Sequence, residues 1–180
     1  MADIVSERYA LSLYEVAADE KKEKVYLDEL TSVCAVFERE PDFLKMLMTP
    51  SIALEDKQHV LKTVLEGRIE TFLLNFLMLI TEKRRIGLIQ SMCEAYKEQY
   101  YLENGIVEVR ATTVRPMSEA LKKKLKDKMR AVTGKQVVLE TSVDKSLLGG
   151  IVVKVGGEQF DTSLRTRLAE IAAQLTDTTA

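Results

Sequence analysis

The sequence predicts an α+β protein: an all-α six-helix bundle over residues 1–105, followed by a small α/β domain over residues 106–180. Three observations carry that expectation. Apolar residues recur at helical spacing through the first 105 positions, with short connections that favour antiparallel neighbours in a bundle. The period then switches to two at Val107, Val109 and Ala111, which alternate with Glu108, Arg110 and Thr112 as in a half-exposed strand. Finally, Gly149-Gly150 opens the run Ile151-Val152-Val153-Lys154-Val155, whose β-branched side chains suit a buried strand.

The helices follow in order. Val5, Tyr9, Leu13, Val16 and Ala17 form the stripe of the first, and Tyr26, Leu30, Val33 and Phe37 that of the second. Pro41 opens a short third helix with Phe43, Leu44 and Leu47, because its missing N–H costs nothing at a first turn. Thr49-Pro50 breaks the chain, and Leu61, Val64 and Leu65 stripe a fourth helix that Gly67 ends. The fifth, over 69–81, is apolar nearly all round and reads as the central helix of the bundle. Ile86, Ile89, Cys93, Tyr96 and Tyr100 mark the sixth, closed by Asn104-Gly105.

In the second half, Arg115-Pro116 ends the first strand. Ser118 can cap a helix striped by Leu121, Leu125, Met129 and Val132, and Gly134 stops it. Val137 and Leu139 mark a second strand, and the run 151–155 a third. A tight turn at Gly156-Gly157 should follow. Asp161 would then cap a final amphipathic helix striped by Leu164, Leu168, Ile171, Ala172 and Leu175.

Composition bounds the function. With 46% hydrophobic and 30% charged residues, the chain has enough apolar material for a core, which argues against disorder. Its longest apolar stretch, 72–80, is interrupted by Asn75 and falls short of the ~18 residues of a membrane span. The start, with Asp3 and Glu7, lacks the basic-then-apolar pattern of an export signal. Cys34 and Cys93 both lie on apolar helix faces, as reduced core thiols do; a disulfide is the alternative.

Charge is divided unevenly. Residues 1–105 carry 13 Lys/Arg against 19 Asp/Glu, a net of −6, and residues 106–180 carry 13 against 9, a net of +4. Much of the basic excess is Lys122, Lys123, Lys124, Lys126, Lys128 and Arg130 in the helix 118–132. That cluster could bind nucleic acid. It is also what the solvated face of a helix looks like, with Asp127 inside the run, no aromatic residue to stack a base, and a pI of about 5.6.

Signs of an enzyme are few. Thr133-Gly134-Lys135-Gln136 lacks the upstream glycine and the hydroxyl residue of a phosphate loop. Gly149-Gly150 opens a strand, where a dinucleotide fingerprint would open a helix. His59 is the only histidine, and no His/Cys cluster offers a metal site, so neither cofactor nor metal is expected. The carboxylate pairs Asp19-Glu20 and Glu55-Asp56 read as helix starts, favoured there by the macrodipole.

Two segments carry a family resemblance. Gly149, Gly150, Gly156, Asp161, Ser163, Arg167 and Leu168 stand in the order and spacing of the C-terminal signature of the delta subunit of F-type ATP synthases, similar to the mitochondrial oligomycin-sensitivity-conferring protein. Gly157 departs from the usual Asp of the turn, a change both residue types tolerate. Arg8-Tyr9-Ala10-Leu11-Ser12-Leu13-Tyr14-Glu15-Val16-Ala17 resembles the family's opening helix, with Ser12 in place of a common Ala. The resemblance implies a non-catalytic stator subunit of a proton-translocating rotary ATP synthase. It would join the alpha subunits of the catalytic head to the b subunits of the peripheral stalk. It would associate with the cytoplasmic face of a bacterial inner membrane only through the complex.

By the same resemblance, residues 1–105 bind an N-terminal segment of the alpha subunits in a groove between the first and fifth helices, and residues 106–180 bind the stalk. Tyr9, Ser12, Leu13, Val16 and Leu79 are the candidate groove residues, apolar or small at spacings that admit a docked helix. The alternative is that all five fill the bundle core. A nucleic-acid-binding protein using the helix 118–132 is the alternative reading.

Overall fold

The computed structural model describes residues 4–156, 158–161 and 166. The chain divides into two compact units, Met1–Tyr100 and Tyr101–Ala180. The first is all-helical and the second holds a four-stranded mixed sheet, giving the α+β class expected.

In the first unit six helices run α1 (Ile4–Asp19), α2 (Glu23–Arg39), α3 (Pro41–Met48), α4 (Leu54–Leu65), α5 (Thr71–Glu82) and α6 (Ile89–Glu103). A 3₁₀ turn at Ile86–Leu88 leads into α6, so Ile86 belongs to that turn and not to the helix proper. The core is built from the faces the sequence indicates: Tyr26, Leu30, Val33 and Phe37 from α2, Leu61 and Leu65 from α4, and Ile89 and Tyr96 from α6 are all buried. Tyr26 and Tyr96 are fully enclosed as rings, yet each hydroxyl is satisfied, donating to the Glu20 carboxylate at 2.9 Å and to the Glu23 carbonyl at 3.0 Å.

Two apolar stripes depart from expectation for one reason. In α1 the buried face is Ser6, Ala10, Leu13, Tyr14 and Ala17, rotated from the expected stripe; Val5 and Tyr9 are half-buried and Val16 is exposed. In α5 the core takes Leu73, Leu74, Phe76, Leu77 and Ile80, while Phe72 and Leu79 are exposed, so this helix is not enclosed all round. Each helix therefore has a second apolar face that the bundle does not cover. The pair Asp19-Glu20 is also corrected: Asp19 is the last residue of α1 and Glu20 lies in the turn beyond it, whereas Glu55 and Asp56 do occupy the first turn of α4.

A polar network ties the α1–α2 turn to the start of α5. Lys22 donates to Glu70 at 3.0 Å, and the Glu70 amide donates to the Glu29 carboxylate at 2.8 Å. Glu29 thereby supplies the cap that the residues before α5 lack in their own side chains. Desolvation raises the Glu29 carboxyl above its ordinary value, partly opposed by that amide.

In the second unit β1 (Ile106–Thr113) pairs parallel with β2 (Gln136–Val143), the two joined through α7 (Glu119–Thr133). β3 (Ile151–Val155) pairs antiparallel with β1, and β4 (Glu158–Asp161) antiparallel with β3, giving the order β2-β1-β3-β4. Val109, Val137 and Val153 form the buried centre, with Val107, Met129, Leu139, Ile151 and Val155 against it. Ser118 caps α7, accepting from the Leu121 amide at 3.3 Å, and Gly134 closes it in the left-handed conformation at φ 66°, both as the sequence indicates. The α7 stripe is shallower than expected. Met129 reaches the core, but Leu121 and Val132 stay exposed and no α7 residue is fully buried.

β4 is absent from the sequence reading. Its four residues, Glu-Gln-Phe-Asp, carry no alternation and are all exposed, so backbone pairing with β3 alone makes it a strand. Asp161, expected to cap a helix after a turn, is the last residue of this strand; its Oδ2 accepts from the Thr166 hydroxyl at 2.8 Å, and residues 162–165, where that helix would start, lie outside the described residues. Gly157, Ser163, Arg167, and the stripe Leu164, Leu168, Ile171, Ala172 and Leu175 lie outside the described residues. Of the signature glycines, Gly149 and Gly150 form the bend before β3 and Gly156 the turn after it, with Gly150 at φ 84° and Gly156 at φ 56°. A β-branched side chain would be strained at either.

Candidate functional site

The uncovered faces of α1 and α5 meet in one apolar groove of about 620 Å³. Val5, Arg8, Tyr9, Ser12, Leu13 and Val16 line it from α1, each with a neighbour three or four residues away; Phe72, Asn75, Phe76 and Leu79 line it from α5 in the same pattern. Arg85 closes one side. Side chains at such spacing share one face of a helix, so two helices present two continuous walls.

The structure brings together all five residues singled out in the sequence: Tyr9, Ser12, Leu13, Val16 and Leu79. Leu13 is 4% exposed and forms part of both core and groove. Val16 and Leu79 are open to solvent. Ser12 is exposed too, its hydroxyl donating to the Arg8 carbonyl at 3.0 Å, so it presents little bulk and no free donor to an incoming surface. Tyr9 is held from two sides. Its ring meets Phe76 edge-on, centroids 6.2 Å apart and planes at 67°, and Arg85 donates to its hydroxyl at 2.8 Å.

Sequence reasoning does not assign Val5, Arg8, Phe72, Asn75, Phe76 or Arg85 to the site. Phe72 and Phe76 have a legible signal, since 72, 76 and 79 repeat on α5 the spacing that picks out α1. Arg85 has none; it follows the helix and comes beside Tyr9 only through the turn at Arg84, which adopts φ 56°.

Elsewhere the chemistry is sparse. His59 is exposed on α4. Among the described residues no group of three or more His, Cys, Asp or Glu could hold a metal ion, and no helix is long and apolar enough to cross a membrane. Cys34 and Cys93 are both free thiols. Lys123, Lys124, Lys126, Lys128 and Arg130 of α7 are exposed, and Lys122 pairs with Glu119 at 2.8 Å.

Comparison with known proteins agrees with this architecture along the whole chain. The family model for the ATP synthase delta (OSCP) subunit matches residues 5–175. The ATP synthase subunit delta of Synechocystis sp. is 37% identical over 172 residues, covering 95% of this chain and 93% of the relative. That of Clostridioides difficile is 30% identical over 178 residues, covering 98% of each. A chain of the Toxoplasma gondii mitochondrial ATP synthase hexamer shares the fold, with a TM-score of 0.78 at 20% identity over 97% of this chain and 98% of that one. With a family model spanning nearly every residue and relatives at 30% identity or more end to end, the chain belongs to the ATP synthase delta (OSCP) subunit family.

Proposed function

We propose that the groove between α1 and α5 receives an amphipathic N-terminal helix of an alpha subunit, and that the second unit holds the C-terminal end of the b subunits. As a family member the protein is a peripheral-stalk subunit of an F-type ATP synthase. In this reading it catalyses nothing. It is a mechanical joint that stops the catalytic head from turning with the rotor while proton flow drives the central shaft. It meets the cytoplasmic face of a bacterial inner membrane only through the complex.

One observation carries the reading: residues suited to helix docking, on two helices far apart in sequence, line a single groove in which Val16, Phe72 and Leu79 are left uncovered by the bundle. A helix with anchors at i, i+3, i+4 and i+7 fits such a trough, with the small Ser12 allowing close backbone approach. A joint under torque needs slow dissociation, which buried apolar contact supplies. For the second unit, the net +4 of residues 106–180 favours an acidic partner and steers its encounter. The test is calorimetric titration of the full chain with a peptide from the N-terminus of the alpha subunit and, separately, with a fragment from the C-terminal end of the b subunit. Saturable binding of each supports the two-grip joint, and failure of the alpha peptide to bind removes the groove assignment.

A further inference from the structure

We propose that Cys34 and Cys93 form an oxidative modification site, at which a hydroperoxide converts two neighbouring thiols into a disulfide that staples α2 to α6. Neither α2 nor α6 lines the docking groove, so the site stands independently of it. The two helices run antiparallel, linked by side-chain hydrogen bonds toward either end. Tyr96 of α6 donates to the Glu23 carbonyl at the start of α2, and Gln90 near the start of α6 donates to Glu38 near the end of α2. Cys34 and Cys93 fall between these pairs. Cys34 is 4% exposed, and its Sγ lies 3.8 Å from the Ile89 carbonyl. Cys93 is one turn beyond Ile89, and a helical side chain leans back over the preceding turn, so its sulfur is directed to the same spot.

The two thiols lie close enough to shift each other's ionisation. Cys34 is the main cause that holds the Cys93 thiol below its ordinary value, against the effect of burial, with Thr31 and Lys97 acting in the same sense and Glu94 against it. Cys93 pushes the Cys34 thiol up, as do burial and the carboxylates Glu38 and Glu94. The two cysteines differ in exposure as an attacking and a resolving thiol differ: Cys93 is half-buried and open to a peroxide, and Cys34 is enclosed.

The chemistry balances. The Cys93 thiolate attacks one peroxide oxygen, the O–O bond breaks, and Cys93 becomes a sulfenic acid as hydroxide leaves. The Cys34 sulfur then attacks the sulfenic sulfur, the S–S bond forms, and the sulfenic oxygen leaves as water with the Cys34 proton. Two thiols lose two electrons and two protons, and hydrogen peroxide becomes two waters. A dithiol reverses the step by exchange. The closed loop contains α3, α4 and α5, so the oxidised chain is constrained across most of the bundle.

The purified full-length chain, reduced and freed of reductant, is titrated with hydrogen peroxide. Expected are an intact mass lower by two hydrogen atoms, a 34–93 peptide pair in a non-reducing digest, full reversal by dithiothreitol, and a thermal midpoint raised by about 5 °C or more. Cys34→Ala should stop at a sulfenic acid on Cys93 that dimedone traps, and Cys93→Ala should leave Cys34 unoxidised at the same dose. If Cys34→Ala loses helicity, the peptide map of the parent decides alone. A Cys93–Cys93 link between chains, sulfinic acid on Cys93 without any cross-link, or two thiols left intact throughout the titration would each overturn the proposal.

Discussion

Arg85 and Tyr9 are 76 positions apart in sequence, yet the guanidinium donates to the phenol oxygen at 2.8 Å and its central carbon lies 5.4 Å from the ring centroid. One cation therefore fixes both the hydroxyl and the tilt of the ring at the edge of the groove. Tyr9 is held in place before any partner arrives, which lowers the entropy lost on docking. The ring supplies most of the contact area. Tyr9→Ala should weaken binding of the alpha-subunit peptide by about 2 kcal/mol, roughly 30-fold, while Tyr9→Phe keeps affinity within a few-fold. Titration calorimetry separates the two, and equal losses for both variants would move the weight from the ring to the hydroxyl.

Ser12 offers a sharper test of the groove. It is exposed in the free chain, so Ser12→Asp places a charge in water and should leave the thermal midpoint nearly unchanged. Once a helix covers it, the same carboxylate would be buried without a partner, at a cost of several kcal/mol unless it protonates. The expected result is loss of detectable peptide binding with unaltered circular dichroism. Unchanged affinity would place the docked helix elsewhere.

Glu29 links fold stability to pH. Its carboxyl is raised by desolvation, so its favourable contribution is fully present below the ordinary glutamate value of 4.5 and is lost as pH climbs through the higher value of the folded chain. Glu29→Gln keeps an oxygen for the Glu70 amide and removes the titration. The thermal midpoint of this variant should therefore gain on the parent as pH rises from about 4.5, and then hold a constant difference. Glu29→Ala removes the acceptor at the start of α5 and should cost about 1–3 kcal/mol across the same range. A gap between parent and Gln variant that narrows with rising pH would contradict this.

Which parts of the structure are legible in the sequence follows from which forces write themselves into side chains. The faces of α2 and α4 are readable because core burial imposes a period on Tyr26, Leu30, Val33 and Phe37, and on Leu61 and Leu65. The stripe of α1 reads a fraction of a turn away from its core face because the helix has two apolar faces; Tyr9 and Val16 belong to the groove, Ala10 and Tyr14 to the core. Periodicity reports that a face is apolar, not what covers it. β4 leaves no pattern because main-chain pairing holds it and its side chains all face solvent. Arg85 escapes a sequence reading because its role depends on a backbone turn at Arg84, which composition does not encode.

The bend before β3 is a further point where backbone conformation, and not side-chain chemistry, sets the structure. Gly150 adopts φ 84°, a region that a β-branched residue occupies only with strain. Gly150→Val should destabilise the second unit by about 1–3 kcal/mol, with Gly150→Ala milder. Chemical denaturation followed by amide exchange in β1 and β3 would locate the loss. An unchanged unfolding midpoint for the Val variant would show that the bend relaxes without cost.

The division of labour between the two units gives the last prediction. The groove is built wholly from α1, α5 and Arg85, all within Met1–Tyr100, and the core beneath it is supplied by helices of that same unit. A chain ending at Gly105 retains every one of those side chains and all of α6. It should keep its helicity and bind the alpha-subunit peptide within a few-fold of the full chain. It lacks the whole sheet and the basic excess of residues 106–180, so the b-subunit fragment should no longer bind it. Raising ionic strength should weaken b binding to the full chain modestly, mainly through a slower on-rate, because surface charge steers encounter more than it sets affinity. Retention of b binding by residues 1–105 would mean that one unit grips both partners.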